Sequence, residues 1–428
     1  MAKDRITAPK GMRDIMPADA PLFLEVERAF REVARRFAYR EIRTPHLEAT
    51  NLFVRTVGET TDIVEKEMYT LETKGGDRLA LRPENTAGVV RSYLEHGLHR
   101  TAPLQRLFYF GQMFRHESAQ KKRFREFTQA GIECFGSAKP EADAEVIAFA
   151  TEFFREVGLG DVRVELSTFG CPACRPPFRA ALHAYFAGNR EKLCDDCRRR
   201  LDKNVFRLLD CKEASCRELA DGAPRIELDE ECARHYEETK RLLDHMGCVY
   251  EENPRLVRGL DYYARTIFEV FPAGGAGRQD ALCGGGRYDG LAELIGGAHV
   301  PAVGFAMGVD RIVMALEDAG LGRAASAIAV YVVAEKAAAE RAAGLAVELR
   351  RAGVSVVTDI SGRKFPDKQL REASRLGAAL ALIIGGDELS RGNAVVKDMA
   401  SGTQETVPSD AIVAEMRNRI AGMEERTS

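Results

Sequence analysis

The sequence predicts an α+β domain built on an antiparallel sheet, interrupted by a mostly helical insertion and followed by a smaller α/β domain. Two strand-like segments, 107–117 and 124–136, are joined by a short basic linker, which is typical of an antiparallel hairpin. Residues 171–247 contain cysteine pairs and helical stretches with little strand character. From residue 326, strand-like and helical segments alternate as β-α-β-α-β, the pattern of a parallel α/β domain.

Length and composition indicate a globular protein of several domains. The 428 residues correspond to about two to four domains. With 45% hydrophobic and 30% charged residues, the chain is neither disordered, collagen-like nor a small disulfide scaffold. It has no run of about 18 apolar residues, and residues 1–17 lack the apolar core of a secretory signal. We therefore expect a cytoplasmic protein without a transmembrane helix.

The elements of the first domain follow in chain order. Helical spacing of apolar residues predicts a helix over 20–40, and Pro45 indicates that the next segment is extended. An initial proline, early acidic residues and a final glycine predict a helix over 140–158, followed by a strand at 163–168. Residues 257–271 return to strand chemistry.

The glycine-rich segment 283–291 is predicted to be a turn before a helix, and 303–316 is apolar with helical spacing towards its end. Residues 320–325 are small and suit a linker, and the last domain should contain helices at 337–352 and 367–377. The predicted domains are a core of residues 1–170 and 248–320, an inserted module of residues 171–247, and a C-terminal domain of residues 326–428.

Charge is unevenly distributed along the chain. The net charge is only −3, from 62 basic and 65 acidic residues, so the whole chain is not a nonspecific nucleic-acid binder. Between Arg100 and Arg125, however, seven basic residues face one acid, Glu117. Such an excess suits a phosphate-rich ligand, and a solvated basic face is the alternative.

Four separated segments carry the residues suited to chemistry. The first, LRPENTA, contains Glu84 and Thr86. In the second, Arg115 ends one predicted strand, and the next strand presents three odd-numbered residues on one face, because strand side chains alternate. These are Phe127, Gln129 and Glu133. An aromatic ring, an amide and a carboxylate together suit a ligand with a flat base, an amine and a polar ring.

The third segment is LVRGLDYY, with Arg258, Asp261, Tyr262 and Tyr263. The fourth joins GGGRYDGL to GFAMGVDRIVMAL, where glycines permit close backbone approach and Arg311 begins an apolar helix. An arginine there must meet an anion or reach water, because an unpaired buried charge is costly.

Together these segments resemble the histidyl-tRNA synthetases, a family of class II aminoacyl-tRNA synthetases. TPHLEATNLFVRTVGE, the FRHE–FREFTQAGIECFG hairpin and GFAMGVDRIVMAL are similar to the three class motifs. LRPENTA, LVRGLDYY and GGGRYD are similar to the histidine-specific signatures, and GRKFPDKQL and VVKDMASG to the anticodon-binding domain. The resemblance covers nearly the whole chain, less closely across 171–250.

The resemblance implies a class II catalytic fold, a homodimer formed through the first motif, and histidine–tRNA ligase activity. ATP, with Mg²⁺, L-histidine and histidine tRNA would be the substrates and partners, and no membrane is implied. The implied catalytic arginines are Arg258, Arg115 and Arg311, and the implied ATP-binding residues are Arg115, Arg123, Phe127 and Arg311. The implied histidine-binding residues are Glu84, Thr86, Gln129, Glu133, Tyr262 and Tyr263.

The inserted module has the cysteine spacing of a structural zinc site. Two C-x2-C pairs lie 19 residues apart, and four thiolates complete a tetrahedral zinc site. The predicted ligands are Cys171, Cys174, Cys194 and Cys197, with Cys211 and Cys216 as alternates. Reduced cysteines that bind no metal are the other reading.

Two other functions are alternatives to ligase activity. One is the histidine-sensing regulatory subunit of ATP phosphoribosyltransferase, a paralogue that lacks the anticodon-binding domain. This chain has that domain and retains Arg258 and Arg311. The other is an RNA-binding scaffold with a degenerate site, which would not catalyse pyrophosphate exchange.

Overall fold

A computed structural model of the chain describes residues 6–58, 61–117, 123–258, 262–272, 274, 280–322, 328–362 and 365–427. These residues form two compact units, which divide between residues 323 and 324. Parts of several sequence predictions lie outside the described residues: Glu59 of the first class motif, the hairpin linker at 118–122, residues 259–261 of LVRGLDYY, residues 323–325 of the linker between the units, and residues 363–364 of GRKFPDKQL.

The first unit contains helices and strands in alternation. Its helices are α1 (Ala20–Arg36), α2 (Thr50–Val57), α3 (Thr86–Glu95), α4 (Leu98–Thr101), α5 (Pro140–Glu156), α6 (Arg175–Gly188), α7 (Asp195–Lys203), α8 (Ala214–Asp221), α9 (Glu230–His245), α10 (Leu291–Leu294) and α11 (Val309–Asp318). Its strands are β1 (Arg40–Glu41), β2 (Leu47–Ala49), β3 (Thr70–Glu72), β4 (Arg78–Leu81), β5 (Gln105–Phe114), β6 (Glu126–Phe135), β7 (Val162–Thr168), β8 (Tyr250–Glu252), β9 (Ala264–Pro272), β10 (Cys283–Arg287) and β11 (Ala302–Gly308).

An eight-stranded sheet organises this unit, in the order β1-β5-β6-β11-β10-β9-β7-β8. Its central pairs are antiparallel, and only the outermost pairs, β1 with β5 and β7 with β8, are parallel. Strands β2, β4 and β3 form a separate antiparallel sheet. The predicted α+β architecture and the β5–β6 hairpin are therefore confirmed.

The two faces of β6 have different surroundings. Even-numbered Ala130, Ile132 and Cys134 pack into the core beneath α1, α5, α9 and α11. The odd-numbered residues point to the other face, as the two-residue period of a strand requires. That face carries Phe127, Gln129 and Glu133, so the predicted grouping of these three residues is confirmed.

The glycine-rich segment differs from its prediction. Instead of a turn, CGGGR is the buried strand β10, paired on both sides. A Cβ on Gly285 would lie 2.2 Å from the carbonyl oxygen of Gly304 on β11, so glycine permits close packing inside the sheet. The apolar segment at 303–316 is likewise divided, with β11 first and α11 second.

Residues 171–247 are helical, as predicted, with short turns between α6, α7, α8 and α9. Phe178, Leu182 and Phe186 of α6 share a core with Tyr262 and Tyr288 of the main sheet region. Helix α9 instead contributes Tyr236 and Leu243 to the core beneath the sheet. The end of the module at residue 247 stays a prediction.

The second unit is an α/β domain. Its strands are β12 (Val330–Ala334), β13 (Val356–Thr358), β14 (Leu380–Ile384), β15 (Asn393–Asp398) and β16 (Gln404–Pro408). Its helices are α12 (Ala339–Arg351), α13 (Pro366–Arg375), α14 (Gly386–Ser390) and α15 (Ile412–Thr427). The order is β13-β12-β14-β15-β16. The first three strands are parallel as predicted, whereas β15 and β16 extend the sheet as an antiparallel hairpin.

Candidate active site

A cavity of about 250 Å³ opens on the odd-numbered face of β6. It brings together residues from all four predicted segments, which are far apart in the chain. All but one of the predicted substrate residues line it: Glu84, Thr86, Arg115, Arg123, Phe127, Gln129, Arg258, Tyr262, Tyr263 and Arg311. The exception is Glu133, which is fully buried behind this lining.

Glu84 is fixed by the N-terminus of α3. Its carboxylate accepts hydrogen bonds from the backbone N–H groups of Thr86, at 2.7 Å, and Ala87, at 3.0 Å. Burial raises the pKa of Glu84, while these two donors oppose the rise. The carboxylate is therefore rigid, and each oxygen retains a lone pair that a ligand ammonium can use.

Glu133 is the most deeply buried acid of the site. The Tyr288 hydroxyl donates a hydrogen bond to Oε2, whereas Oε1 has no partner among the described residues. Burial raises the pKa of Glu133 to about 8, although the Tyr288 hydroxyl acts in the opposite direction. A buried carboxyl with an unused oxygen is costly unless a ligand supplies the missing hydrogen bond.

Tyrosine rings surround this acid. The rings of Tyr262 and Tyr263 lie 4.7 Å apart, and Tyr262 meets Tyr288 edge-on at 5.8 Å. Oε1 of the buried Gln129 also lacks a partner within the described part of the chain. Aromatic rings therefore enclose the site, and the carboxyl and the amide each have an oxygen without a hydrogen-bond partner among the described residues.

Arg258 lies against strand β10. Its Nη1 donates to Glu269 Oε1, and its guanidinium carbon is 5.4 Å from the centre of the Tyr263 ring. A Cβ on Gly284 would lie 2.1 Å from Nη1, so the guanidinium occupies the space that glycine leaves. Nε of Arg258 is buried and has no partner among the residues described.

Arg115 and Arg123 share one acid, Glu117. Arg123 Nη1 donates to Glu117 at 2.8 Å, and Arg115 Nη1 is 3.8 Å from it. Arg115 Nε also donates to the carbonyl oxygen of Pro83 at 2.8 Å, and its guanidinium lies 5.3 Å from the centre of the Phe127 ring. Two cations with one acid leave a positive excess at this side of the cavity.

Arg311 is the third residue of α11, and its Nη1 donates to the carbonyl oxygen of Ala281 at 2.9 Å. Within the described ranges, no carboxylate lies within ion-pair distance of it. Burial lowers the pKa of Arg311, and the nearby positive charge of Arg123 acts in the same direction. A buried arginine in this setting is stabilised by an anionic ligand.

Sequence reasoning assigned no role to several acids and a tyrosine that hold the site together. Glu269 and Glu117 pair with the arginines, and Tyr288 binds Glu133. Asp310 accepts from the Thr128 backbone N–H at 2.8 Å and from Arg13 at 2.9 Å. The signal for Glu269 was present, since it is the lone charge in the apolar run TIFEVF.

The first-choice set of Cys171, Cys174, Cys194 and Cys197 does not come together, so that pairing is wrong, whereas the alternates Cys211 and Cys216 do lie with Cys194 and Cys197. The cysteines instead form two groups, and each group contains one of the C-x2-C pairs. The first group is Cys194, Cys197, Cys211 and Cys216, and the second is Cys171, Cys174, Asp229 and Cys232. One pair stands where the chain enters the module, beside the start of α9, whereas the other begins α7 and faces α8. Spacing alone cannot choose among such pairings.

Comparisons with known proteins agree with this geometry. The family profile described as "Histidyl-tRNA synthetase" matches residues 11–174 and 177–312. A curated relative from Pelotomaculum thermopropionicum named "Histidine--tRNA ligase" is 45% identical over 420 residues, covering 97% of this chain and 98% of that protein.

The chain belongs to the histidyl-tRNA synthetase family.

Other family members extend the match. A relative of the same name from Bacillus cytotoxicus is 45% identical, covering 97% of this chain and 99% of that protein. The crystal structure of apo histidyl-tRNA synthetase from S. aureus aligns with a TM-score of 0.80 and 35% identity, covering 96% of this chain and all of that one. The family catalyses the activation of histidine and its transfer to tRNA.

The second unit also matches a known domain. A profile described as "Anticodon binding domain" covers residues 327–419. The sequence predicted this domain at residues 326–428, and its presence agrees with the ligases that the chain resembles. Among the described residues, no helix has the length and apolar character needed to span a bilayer.

Proposed function

We propose that this chain is a histidine–tRNA ligase: it activates L-histidine with ATP to histidyl-adenylate and pyrophosphate, then transfers histidine to the 3′-terminal ribose of histidine tRNA. The observation that carries this proposal is one cavity that combines four arginines with a buried, polar, aromatic pocket. The arginines suit a triphosphate, and the pocket suits a small ring that bears hydrogen-bonding nitrogens.

Adenylate formation brings two anions together, the histidine carboxylate and the α-phosphate of ATP. Fixed positive charge must offset their repulsion and stabilise the charge of the transition state. In the proposed mechanism, Arg115 and Arg258 flank the α-phosphate and Arg311 binds the γ-phosphate. Arg123 adds charge beside the phosphates. Among the described residues, no carboxylate lies within ion-pair distance of Arg311, and this supports its assignment to an anion.

Phe127 would stack on the adenine of ATP, with the guanidinium of Arg311 on the opposite face. The exposed side of Phe127 and the position of Arg311 in the same cavity support this assignment. The guanidinium of Arg115 also lies near the Phe127 ring. Aromatic stacking together with a cation binds a base without reading its edge.

The polar pocket would hold histidine. Glu84, Thr86 and Gln129 take the α-amino group, and Glu133 and Tyr262 take the two imidazole nitrogens, with Tyr263 alongside. The unused oxygens of Gln129 and Glu133 support these assignments. A site of this kind strongly rejects amino acids that lack the ring nitrogens, because its buried polar atoms would be left unpaired.

Magnesium would arrive with the nucleotide. Glu117 and Glu269 are already paired with arginines, so they are poor candidates for a dedicated protein site. Mg²⁺ is commonly held mainly by substrate phosphates, whose charge it neutralises. Structural zinc is a separate matter, supported by the two cysteine groups. We place the reaction in the cytoplasm because ATP and tRNA are available there.

The proposed enzyme is a homodimer formed through Pro45–Gly58. This segment contains β2 and α2, and β2 belongs to the small β2-β4-β3 sheet. Leu47 and Leu71 of that sheet are each 41% exposed, which supports a covering partner.

The test is histidine-dependent ATP–pyrophosphate exchange, followed by charging of a histidine tRNA transcript. We expect exchange with histidine and not with the other amino acids. Arg115→Ala should lower exchange by about 100-fold or more. Arg106→Ala is a matched control, because Arg106 belongs to the same basic stretch but pairs with Glu145 away from the cavity. No exchange by the unmodified chain would refute the proposal.

A further inference from the structure

Seven of the ten cysteines belong to the two groups in and beside the inserted module. In each group, the candidate ligand atoms all lie within 4.8 Å of one another. The remaining three, Cys134, Cys248 and Cys283, are buried singly elsewhere. Such convergence of two separate sets of soft ligands calls for an explanation beyond chance packing.

The sulfur spacing matches that of a shared metal ion. Cys194 Sγ is 3.7 Å from Cys211 Sγ, and Cys171 Sγ is 3.7 Å from Cys174 Sγ. Tetrahedral zinc with Zn–S bonds of about 2.3 Å places its sulfurs roughly 3.8 Å apart. In the second group, Asp229 Oδ2 lies 3.1 Å from Cys171 Sγ and 3.3 Å from Cys174 Sγ, so its oxygen completes the set.

Backbone N–H groups point at the sulfurs of both groups. In the first group, the Cys194 N–H donates to Cys216 Sγ at 3.2 Å, and the Cys197 N–H donates to Cys194 Sγ at 3.4 Å. In the second group, the N–H groups of Ala173 and Asp229 each donate to a cysteine sulfur at 3.3 Å. Donors of this kind stabilise thiolates and orient them as metal ligands.

The two carboxylate oxygens of Asp229 have different partners, which together fix the position of the side chain. Its Oδ1 accepts from the Cys232 backbone N–H at 2.7 Å and so caps α9, while Oδ2 faces the two sulfurs. Capping holds the carboxylate in one orientation. Because the same residue also faces the two sulfurs, the start of α9 lies beside the point where the chain enters the module.

We propose that the inserted module binds two structural zinc ions, one held by Cys194, Cys197, Cys211 and Cys216, and one held by Cys171, Cys174, Cys232 and Asp229. The first ion joins α7 to α8 and the turn before it. The second joins the entry of the module to its exit at α9. Thiolate-rich tetrahedral sets select zinc over harder divalent ions.

The second ion has a consequence for the active site. Arg175 directly follows Cys174, and its Nη1 donates to the carbonyl oxygen of Tyr263 at 3.1 Å. Tyr263 lines the substrate cavity. The second ion therefore positions Arg175, which supports the tyrosine segment from outside. Only this consequence rests on the proposed function, whereas the metal content is independent of it.

Metal analysis of the full chain, purified without chelator, tests the proposal directly. We expect two zinc ions per chain, both released when a mercurial reagent titrates the thiols. One zinc or none would overturn the proposal, as would intact-mass evidence that these cysteines form disulfides. This measurement needs no variant, so it does not depend on whether a mutated module folds.

Variants then assign the two ions. Cys194→Ser with Cys197→Ser should remove one ion, and Cys171→Ser with Cys174→Ser should remove the other. Cys248→Ser is the matched control and should retain both, since Cys248 lies beside Thr151 and belongs to neither cysteine group. Loss of both ions from either double variant would overturn the two independent sites.

Kinetics separate the two sites further. Removal of the Cys171–Cys174 pair should raise the histidine KM several-fold and leave the ATP KM unchanged, as should Arg175→Ala. Removal of the Cys194–Cys197 pair should leave the histidine KM within about twofold. Equal effects of the two double variants on the histidine KM would refute the positioning role of the second ion.

Discussion

At the scale of single residues, the pairing of Arg258 with Glu269 couples catalysis to stability. Both side chains are largely buried, so Arg258→Ala removes the cation that pairs with Glu269. Breaking one side of such a pair costs about 3–5 kcal/mol. We expect Arg258→Ala to lower both the melting temperature and the exchange rate, the latter by about 100–1000-fold.

The double variant Arg258→Ala/Glu269→Gln separates the two effects. Removing both charges should restore most of the melting temperature, because no unpaired ion remains buried. Exchange should stay at least about 100-fold below that of the unmodified chain. Recovery of exchange together with stability would mean that Arg258 is only structural.

Glu133 predicts a pH dependence of histidine binding. The pKa of Glu133 is about 8, whereas a histidine side chain has a pKa of about 6.5. Between these values a protonated Glu133 meets a neutral imidazole, and the pair forms without net proton exchange. Above pH 8 the carboxylate must regain a proton on binding, and below pH 6.5 a proton must leave. The histidine KM should therefore be lowest between the two and rise up to about tenfold per pH unit outside them.

Two variants check this assignment by KM measurements between pH 6 and 9. Glu133→Gln cannot titrate, so the alkaline rise should vanish, while the ATP KM changes little. The Tyr288 hydroxyl lowers the pKa of Glu133, so Tyr288→Phe should move the alkaline rise to higher pH. An alkaline rise unchanged in Glu133→Gln would assign it to another group.

Sequence reasoning identified the residues of this site but not their partners. Arg311 stood out because an arginine on an apolar helix must meet an anion or reach water, and Glu133 because it shares a strand face with Gln129. The role of Arg258 came from the family resemblance. The partners of Arg258 and Glu133 are Glu269, on strand β9, and Tyr288, which directly follows strand β10, and neither spacing nor composition indicates which side chains such segments bring into contact.

At the scale of elements, strand β10 shapes the site through its missing side chains. A Cβ on Gly284 would lie 2.1 Å from Arg258 Nη1, so Gly284→Ala must displace the guanidinium. We expect exchange to fall by about 10–100-fold, since a small displacement of a catalytic group is costly. The histidine and ATP concentrations for half-maximal exchange should change less than the maximal rate.

Gly344→Ala provides the matched control. Gly344 lies in helix α12, and an added Cβ there meets no atom within 4 Å. That substitution should keep exchange unchanged and raise stability by up to about 1 kcal/mol, because alanine favours a helix over glycine. An active Gly284→Ala variant with normal rates would show that Arg258 does not need its present position.

Most elements could be predicted because each follows a local pattern. Helices α1 and α5 show helical apolar spacing, and the β5–β6 hairpin shows aromatic strands around a polar linker. Strand β10 could not be predicted, because three consecutive glycines indicate a turn unless close-packed neighbours exclude side chains. The predicted pairing of the cysteines was wrong for a related reason, since the pairing depends on where α9 packs against the start of the module.

At the scale of the whole molecule, the division into an α+β unit and an α/β unit could be predicted from the change in strand and helix order near residue 326. The antiparallel β15–β16 hairpin of the second unit could not, because short strands after the last predicted one carry little periodic signal. The proposed assembly with a second copy of the chain follows from the resemblance of the first class motif rather than from any helix or strand pattern.

The proposed homodimer gives the last prediction. Leu47 and Leu71 are exposed on the β2-β4-β3 sheet, and burying a leucine contributes about 1.5–3 kcal/mol. Leu47→Glu with Leu71→Glu should weaken dimerisation at least about 100-fold in sedimentation velocity, because each substitution occurs in both protomers. Val249→Glu is the control: Val249 is 82% exposed outside this sheet, so the dimer should persist. Exchange should be lost in step with dissociation, because β4 leads directly into the segment that holds Glu84. A fully active monomer would refute both the interface and its link to the active site.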